Sequence, residues 1–274
     1  MSTQWQIVHD AESPEVVLAT DFPVSGRNEG GFTELAPRLD LDCQLWQTVP
    51  PVVAPGTDLD PADYLRPWLT EIRESGYRVR SVLGYCAGSV FAGALAQEIA
   101  RWQDGAPSIV VFDPELVDVP TVHLQFGRVI GNMTTVLEAD ELTYTEQEAQ
   151  RLAEADGVTP AEFASNLFEM FRPLGEKALA RTGMEPEFAE ELISLVGSFM
   201  AYLSVASNID PRPGWARATA ISSTSPGSGL NRLRSSGQGG EPGFVAEELR
   251  FDVEHRDLLR TDDAAKAVAE ILTK

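Results

Sequence analysis

The residues Gly84, Tyr85, Cys86, Ala87 and Gly88 have the types and spacing of a nucleophile elbow, G-x-C-x-G, with a thiol where most such turns carry a hydroxyl. An apolar run, SVLGYC, leads into it, and a run with helical character, AGSVFAGALAQEIARW, leads out. The two glycines are expected to let the chain turn sharply, which places Cys86 at the tip of a strand-to-helix turn. The N-terminal end of the helix would favour its thiolate, the reactive form. The competing reading of Cys86 is a small buried hydrophobe, as most cysteines in apolar stretches are.

A thiol nucleophile needs a base, and the base needs a group to orient it. His255 is the expected base, because it follows the last strand pattern, as the base does in chains ordered nucleophile, acid, base. His123 is the rival, and His9 is a poor candidate ahead of the first expected sheet strand. Asp113 is the expected orienting acid, at the end of the apolar run SIVVFD, although Asp-Pro is also a common turn starter. No Asp or Glu occurs between Pro211 and Gly240, which removes the alternative acid one strand later. The oxyanion of an acyl transfer would be met by the backbone N–H of Ala87. A second donor would come from the loop near Phe22 to Ser25, with Val24 or Phe22 as the candidate because Pro23 has no N–H. Two such donors would supply about 3 kcal/mol each.

Those side chains must be held by a scaffold, and its elements are legible along the chain. EVVLAT, CQLWQTVP, the run from Val79 to Cys86 and SIVVFD read as strands, with helices at FTELAPRL, at Pro61 to Gly76 and after the elbow. Strand and helix in alternation imply a mostly parallel sheet covered by helices, with reactive groups at the carboxyl ends of its strands. The pattern breaks from Val122 to Asn208. There, Thr159, Pro160 and Glu162 form a capping signal, Pro173 is expected to end or bend the helix, and a further helix covers Glu187 to Ala206. Its expected buried side carries Phe188, Leu192, Leu195, Val196, Phe199 and Leu203. The division is therefore a sheet domain at 1–121 and 209–274 with a helical lid inserted at 122–208. ARATAISSTS and ELRFDVEH are the returning strands, separated by a loop from Ser225 to Gly243, and DDAAKAVAEILTK is the closing helix.

The chain has 274 residues and a formal net charge of −21, which opposes non-specific binding to nucleic acid or to an anionic membrane surface. The opening residues lack a basic segment followed by an apolar core, so no signal peptide is expected. A thiol nucleophile calls for a reducing compartment, and the cytoplasm is the expectation. The three histidines and two cysteines show no metal-ligand spacing, so neither a metal nor a bound cofactor is expected. Arg212, Arg217, Arg232 and Arg234 fall in the acid-free stretch. They form either a local basic patch for an acidic partner or ordinary solvated arginines.

GYCAGSVFAGALAQEIA, the FDPE strand end and VEHRDLLRTDDAAKAVAEIL together resemble the thioesterase domains of polyketide and nonribosomal peptide assembly lines. The resemblance spans nearly the whole chain and implies an α/β-hydrolase fold with a helical lid. It places the nucleophile, usually Ser, at Cys86, the acid at Asp113 and the base at His255. Three departures stand out. The His-Pro-x-Gly-Gly turn after the first strand is replaced by DFPVSGRNEGG, Tyr85 precedes the nucleophile, and the nucleophile is Cys. The resemblance implies acyl groups carried on phosphopantetheine, an acyl or peptidyl carrier protein as partner, and a Cys-linked acyl-enzyme. Cysteine favours acyl transfer or specialised release over plain hydrolysis, because thioester-to-thioester exchange is nearly balanced. The alternatives are a dienelactone-hydrolase-like enzyme, which also carries G-Y-C but lacks so long a lid, and a non-catalytic binding protein on the same fold.

Overall fold

The structure is a computed structural model that describes residues 4–23, 28–53, 57, 59–237 and 244–273. Seven strands form one sheet in the order β1-β3-β2-β4-β5-β6-β7. They are β1 (Trp5–His9), β2 (Glu15–Thr20), β3 (Gln44–Thr48), β4 (Arg78–Tyr85), β5 (Ser108–Phe112), β6 (Thr219–Ser222) and β7 (Glu247–Arg250). All neighbours run parallel except β1, which pairs antiparallel with β3 at one edge. The inner strands β2 to β5 are buried along most of their length, which is why they read as continuous apolar runs rather than alternating ones. The fold is that of an α/β-hydrolase.

Helices α1 (Phe32–Leu35), α2 (Pro61–Ser75) and α3 (Gly88–Ile99) connect the first strands. Gly76, with a φ of 76°, stops α2 in the left-handed conformation that glycine tolerates. One sheet face carries Val17 and Ala19 of β2, Leu83 and Tyr85 of β4, Val110 and Phe112 of β5 and Ile221 of β6. These pack with Phe32 and Leu35, with Leu258 and Leu259 of the turn His255–Arg260, and with Val268 of the last helix, Asp262–Leu272. The opposite side is fixed by α3, where Trp215 Nε1 donates to the Ser89 carbonyl and Phe91 contacts Tyr64 and Trp68.

The chain divides into two compact units, the first from the described residues of Met1–Val49, Ala62–Leu116 and Ile209–Lys274. The second takes in Val117–Asn208 with the described part of Pro50–Pro61. It holds α4 (Val119–Gly131), α5 (Ala139–Ala153), α6 (Pro160–Arg181) and α7 (Pro186–Ser207). Asp118 caps α4 by accepting from Thr121 N–H, and Thr159 with Glu162 closes a capping box on α6. Glu141 of α5 accepts from Arg181 and Lys177 of α6. The Arg181 guanidinium holds its carboxyl down at about 2. Among the described residues, α7 is the one helix long and apolar enough to cross a bilayer, and 44% of its most apolar window is buried within the protein.

Several local expectations fail for identifiable reasons. Trp5–His9 is an edge strand, missed because exposed Gln6 and Ile7 leave its pattern mixed. Pro173 does not end its helix, since α6 continues through it to Arg181. Phe188 and Leu192 are exposed, whereas Leu203 is fully buried and Leu195, Val196 and Phe199 are half-buried; Ile193, Gly197 and Met200 are buried beside them. The expected loop after Ser225 contains a helix, α9 (Gly229–Ser235), whose short length and arginines concealed its period. The four-residue α8 (Arg212–Trp215) precedes β6, and ELRFDVEH is strand only from Glu247 to Arg250.

Candidate active site

Cys86 stands at the end of β4 with a φ of 52°, a left-handed conformation that costs a side-chain-bearing residue about 1–3 kcal/mol. Three backbone hydrogen bonds hold it there. Its N–H donates to the Phe112 carbonyl at 2.9 Å, and its own carbonyl accepts from Ser89 N–H at 3.1 Å and Glu115 N–H at 3.3 Å. The flanking glycines therefore serve a different purpose from the one expected. Neither needs a positive φ; both are needed because other backbone lies against them. A Cβ on Gly88 would sit 2.2 Å from the Thr20 carbonyl oxygen, and one on Gly84 would sit 2.5 Å from Ser89 Cα. The thiol is half-buried, and neither it nor that of Cys43 is tied up in a disulfide.

The register Tyr85–Phe112 between β4 and β5, and Phe112–Ile221 between β5 and β6, brings Cys86, Asp113 and Ser222 to one edge of the sheet. Asp113 is fully buried and also left-handed, with a φ of 41°. Its Oδ1 accepts from Ser223 N–H at 2.9 Å, and its Oδ2 pairs with His255 Nδ1 at 2.8 Å. That bond sets Nδ1 as the donor and leaves Nε2 as the basic nitrogen. Nε2 is buried and hydrogen-bonds to nothing among the described residues.

Tyr85 places His255 beside the elbow. The two rings stack with centroids 4.8 Å apart and planes 12° from parallel, and Tyr85 Oη donates to the His255 carbonyl at 3.0 Å. His255 N–H donates in turn to Ser225 Oγ at 2.8 Å. Asp113 and His255 are thus in direct contact, and His255 is stacked on the residue that precedes Cys86. The rival histidines have other partners. His123 contacts Phe163 within the helical unit, and His9 Nε2 bonds to the Leu41 carbonyl near the β1 edge.

Ala87 opens α3, and its N–H donates to nothing among the described residues. Val24 lies outside the described residues. The N–H of Phe22 donates to Asp21 Oδ1 at 2.8 Å.

Sequence reasoning passed over Tyr85, Ser223, Ser225 and a buried ion pair. Glu115, 2% exposed, meets Arg232 Nε at 2.9 Å. Burial pushes the Glu115 carboxyl up, while Arg232 and the Gly229 N–H pull it back. Glu115 belongs to the FDPE string, so its proximity to Asp113 was visible; its buried partner lay in a segment read as loop. Of the four arginines in the acid-free stretch, Arg212 pairs with Asp210, Arg232 with Glu115 and Arg234 with Glu248, while Arg217 is exposed. Among the described residues no cluster of His, Cys, Asp and Glu is built to hold a metal ion.

No family model and no curated protein matches the chain. Among solved structures it is similar to the NocB thioesterase domain from the nocardicin cluster, with a TM-score of 0.56 at 14% identity over 100% of both chains. The Vlm2 thioesterase domain bound with a dodecadepsipeptide gives 0.52 at 14% identity over 98% of this chain and 96% of that one. The four-domain nonribosomal peptide synthetase AB3403 gives 0.54 at 15% identity, over 98% of this chain and 20% of that one. What the chain shares with these proteins at such identity is the fold, a mostly parallel α/β-hydrolase sheet with its helices.

Proposed function

We propose that this chain is a thioesterase-like acyltransferase or hydrolase that takes acyl groups from carrier-protein or coenzyme A thioesters through an acyl-enzyme on Cys86. The observation that carries the reading is the 2.8 Å contact of His255 Nδ1 with Asp113 Oδ2, stacked on the neighbour of Cys86. On this reading His255 Nε2 takes the thiol proton as Cys86 Sγ attacks the thioester carbonyl. Asp113 keeps the ring oriented and balances the imidazolium that forms. The carbonyl oxygen becomes an oxyanion, met by the Ala87 N–H and a second donor near Val24. Collapse breaks the bond to the pantetheine sulfur, which leaves with the proton from His255. Water, a second thiol or an amine then repeats the sequence on the Cys86 thioester.

The thiol decides between outcomes. A thioester on Cys86 stays as reactive as the substrate, so passage to another thiol is close to balanced, whereas a serine ester would be a downhill stop. This favours transfer or specialised release, in the setting of polyketide or nonribosomal peptide assembly that the structural neighbours suggest. The helical unit inserted between β5 and β6 would be the lid, and a reducing, cytoplasmic location suits two cysteines that form no disulfide.

The test is intact-mass analysis after mixing with acyl-carrier or acyl-coenzyme A thioesters. An acyl adduct that disappears in Cys86→Ala is expected. A second carrier then separates transfer, seen as label on that carrier, from hydrolysis, seen as free acid. Absence of an adduct with every thioester, together with iodoacetamide labelling of Cys86 no faster than a small-molecule thiol and indifferent to His255→Ala, would reject the enzyme reading in favour of a binding protein.

A further inference from the structure

Resting on that functional reading, we infer that Glu115, with Arg232, is a positioning residue: it anchors the segment that grips both members of the Asp113–His255 pair.

The connections are continuous. Glu115 Oε1 accepts from Gly229 N–H at 2.8 Å, at the start of α9. Glu115 Oε2 accepts from Arg232 Nε at 2.9 Å, and Arg232 Nη2 donates to the Leu116 carbonyl at 3.0 Å. α9 is thereby tied to the end of β5. From α9, Asn231 Nδ2 donates to the carbonyls of Ser223 and Ser225, at 2.9 and 3.2 Å. Those two serines touch the pair directly. Ser223 N–H donates to Asp113 Oδ1, and Ser225 Oγ accepts from His255 N–H. The same Glu115 also reaches the nucleophile, since its N–H donates to the Cys86 carbonyl. Glu115 therefore meets the Cys86 carbonyl through its backbone and, through its carboxylate, holds the segment that orients Asp113 and His255.

The packing leaves that segment little freedom once anchored. Gly229 lies so close to Asp113 that a Cβ would fall 2.7 Å from its Cα, and its φ is +55°. If α9 shifts, Gly229 moves against Asp113 itself. A buried pair of this kind is weak evidence for stability, because desolvation offsets most of its attraction. Orientation of the neighbouring groups is the consequence that the connections support. A misplacement of about 1 Å can cost about 100-fold in rate.

The experiment compares the full-length wild type with Glu115→Gln, Asn231→Ala and the double variant Glu115→Gln/Arg232→Met. Two readouts are used: steady-state turnover of an acyl-pantetheine thioester, and the downfield proton resonance of the His255 Nδ1–H···Asp113 bond. We expect Glu115→Gln to lose about 10- to 100-fold in kcat with KM within about twofold, and its resonance to shift or broaden. Asn231→Ala is expected to move both readouts in the same direction by less. The double variant leaves no buried charge stranded, so it serves where the single one fails to fold, and it should stay slow. A folded double variant with wild-type turnover and an unmoved resonance would overturn the inference. If the wild type itself turns over no thioester, the functional reading fails. The resonance then still decides the positioning role: unmoved in both Glu115 variants, it refutes it; displaced, it upholds it.

Discussion

Gly88→Ala is the substitution whose cost can be worked most directly from the elbow. The added Cβ would lie 2.2 Å from the Thr20 carbonyl oxygen, 2.8 Å from the Thr20 carbonyl carbon and 3.2 Å from Asp21 Cα. All three are backbone atoms at the end of β2, so no side chain can swing aside. Raising the first contact from 2.2 to 3.0 Å means parting β2 from α3 by roughly 0.8 Å. Thr20 opposes this, because the single proton of its Oγ1 is shared between the Gly88 and Leu83 carbonyls, which lie 2.8 and 2.9 Å away. Overpacking of this kind costs about 1–3 kcal/mol, and straining that one buried hydrogen-bonding group adds about 1 kcal/mol. The gain from alanine over glycine in a helix is about 1 kcal/mol at most, so the clash wins. We expect a loss of about 1–3 kcal/mol, which lowers Tm by about 2–4 °C per kcal/mol. The shift also moves Cys86 and Ala87, so thiol acylation should fall by about 100-fold. Urea unfolding followed by circular dichroism, with acylation rates on the same sample, measures both. Gly127→Ala is the control, in the α4 interior with nothing within 4 Å of the added Cβ, and should gain about 0.5–1 kcal/mol. Gly88→Ala as stable and as reactive as wild type would refute the claim that backbone crowding dictates glycine at the elbow.

Asp113→Asn keeps an acceptor for Ser223 N–H but loses the charge facing His255, so kcat/KM for thioester turnover should fall by about 1,000-fold or more; an unchanged value would remove Asp113 from the mechanism. Glu141→Gln should alter the acid limb of stability. The wild-type carboxyl, held at about 2 against an ordinary 4.5, lends stability above pH 4.5 that is lost as pH falls toward 2. Unfolding curves of wild type and variant should therefore differ at neutral pH and converge near pH 2, and parallel curves would count against the Arg181 pairing.

The sheet was readable because its inner strands are buried on both faces and therefore spell uninterrupted apolar runs. β1 was not, since Gln6 and Ile7 are exposed at an edge and leave a mixed pattern. Asp113 and His255 could be paired on paper because each ends a strand-like run and the stretch from Pro211 to Gly240 offers no rival acid. Their contact is a matter of register, which no single strand encodes. α9 escaped notice for the same reason Glu115 did: seven residues are too few to hold a helix alone, and its place is fixed by partners distant in sequence, Glu115 meeting both Gly229 N–H and Arg232. The exposed faces of α7 show the limit from the other side. Phe188 and Leu192 satisfy helical spacing, yet Ile193, Gly197 and Met200, roughly a third of a turn away, are the buried positions.

Strain is unevenly distributed among the described residues. Only Asp40, Cys86 and Asp113 combine a side chain with a left-handed φ, and two of these three terminate adjacent strands. At strand ends the chain could have left the sheet in relaxed geometry, and glycine would remove the Cβ penalty outright. Glycine cannot supply a thiol or a carboxylate, however, so the strained conformers persist only where the side chain is needed and the surroundings over-determine it. The surroundings do so at both strand ends. Phe112 and Ile221 receive the N–H groups of Cys86 and Asp113 across neighbouring strands, so the parallel register that forms the sheet also clamps both outliers. The same hydrogen bonds that extend β4 to β6 therefore hold the thiol and the acid at the sheet edge.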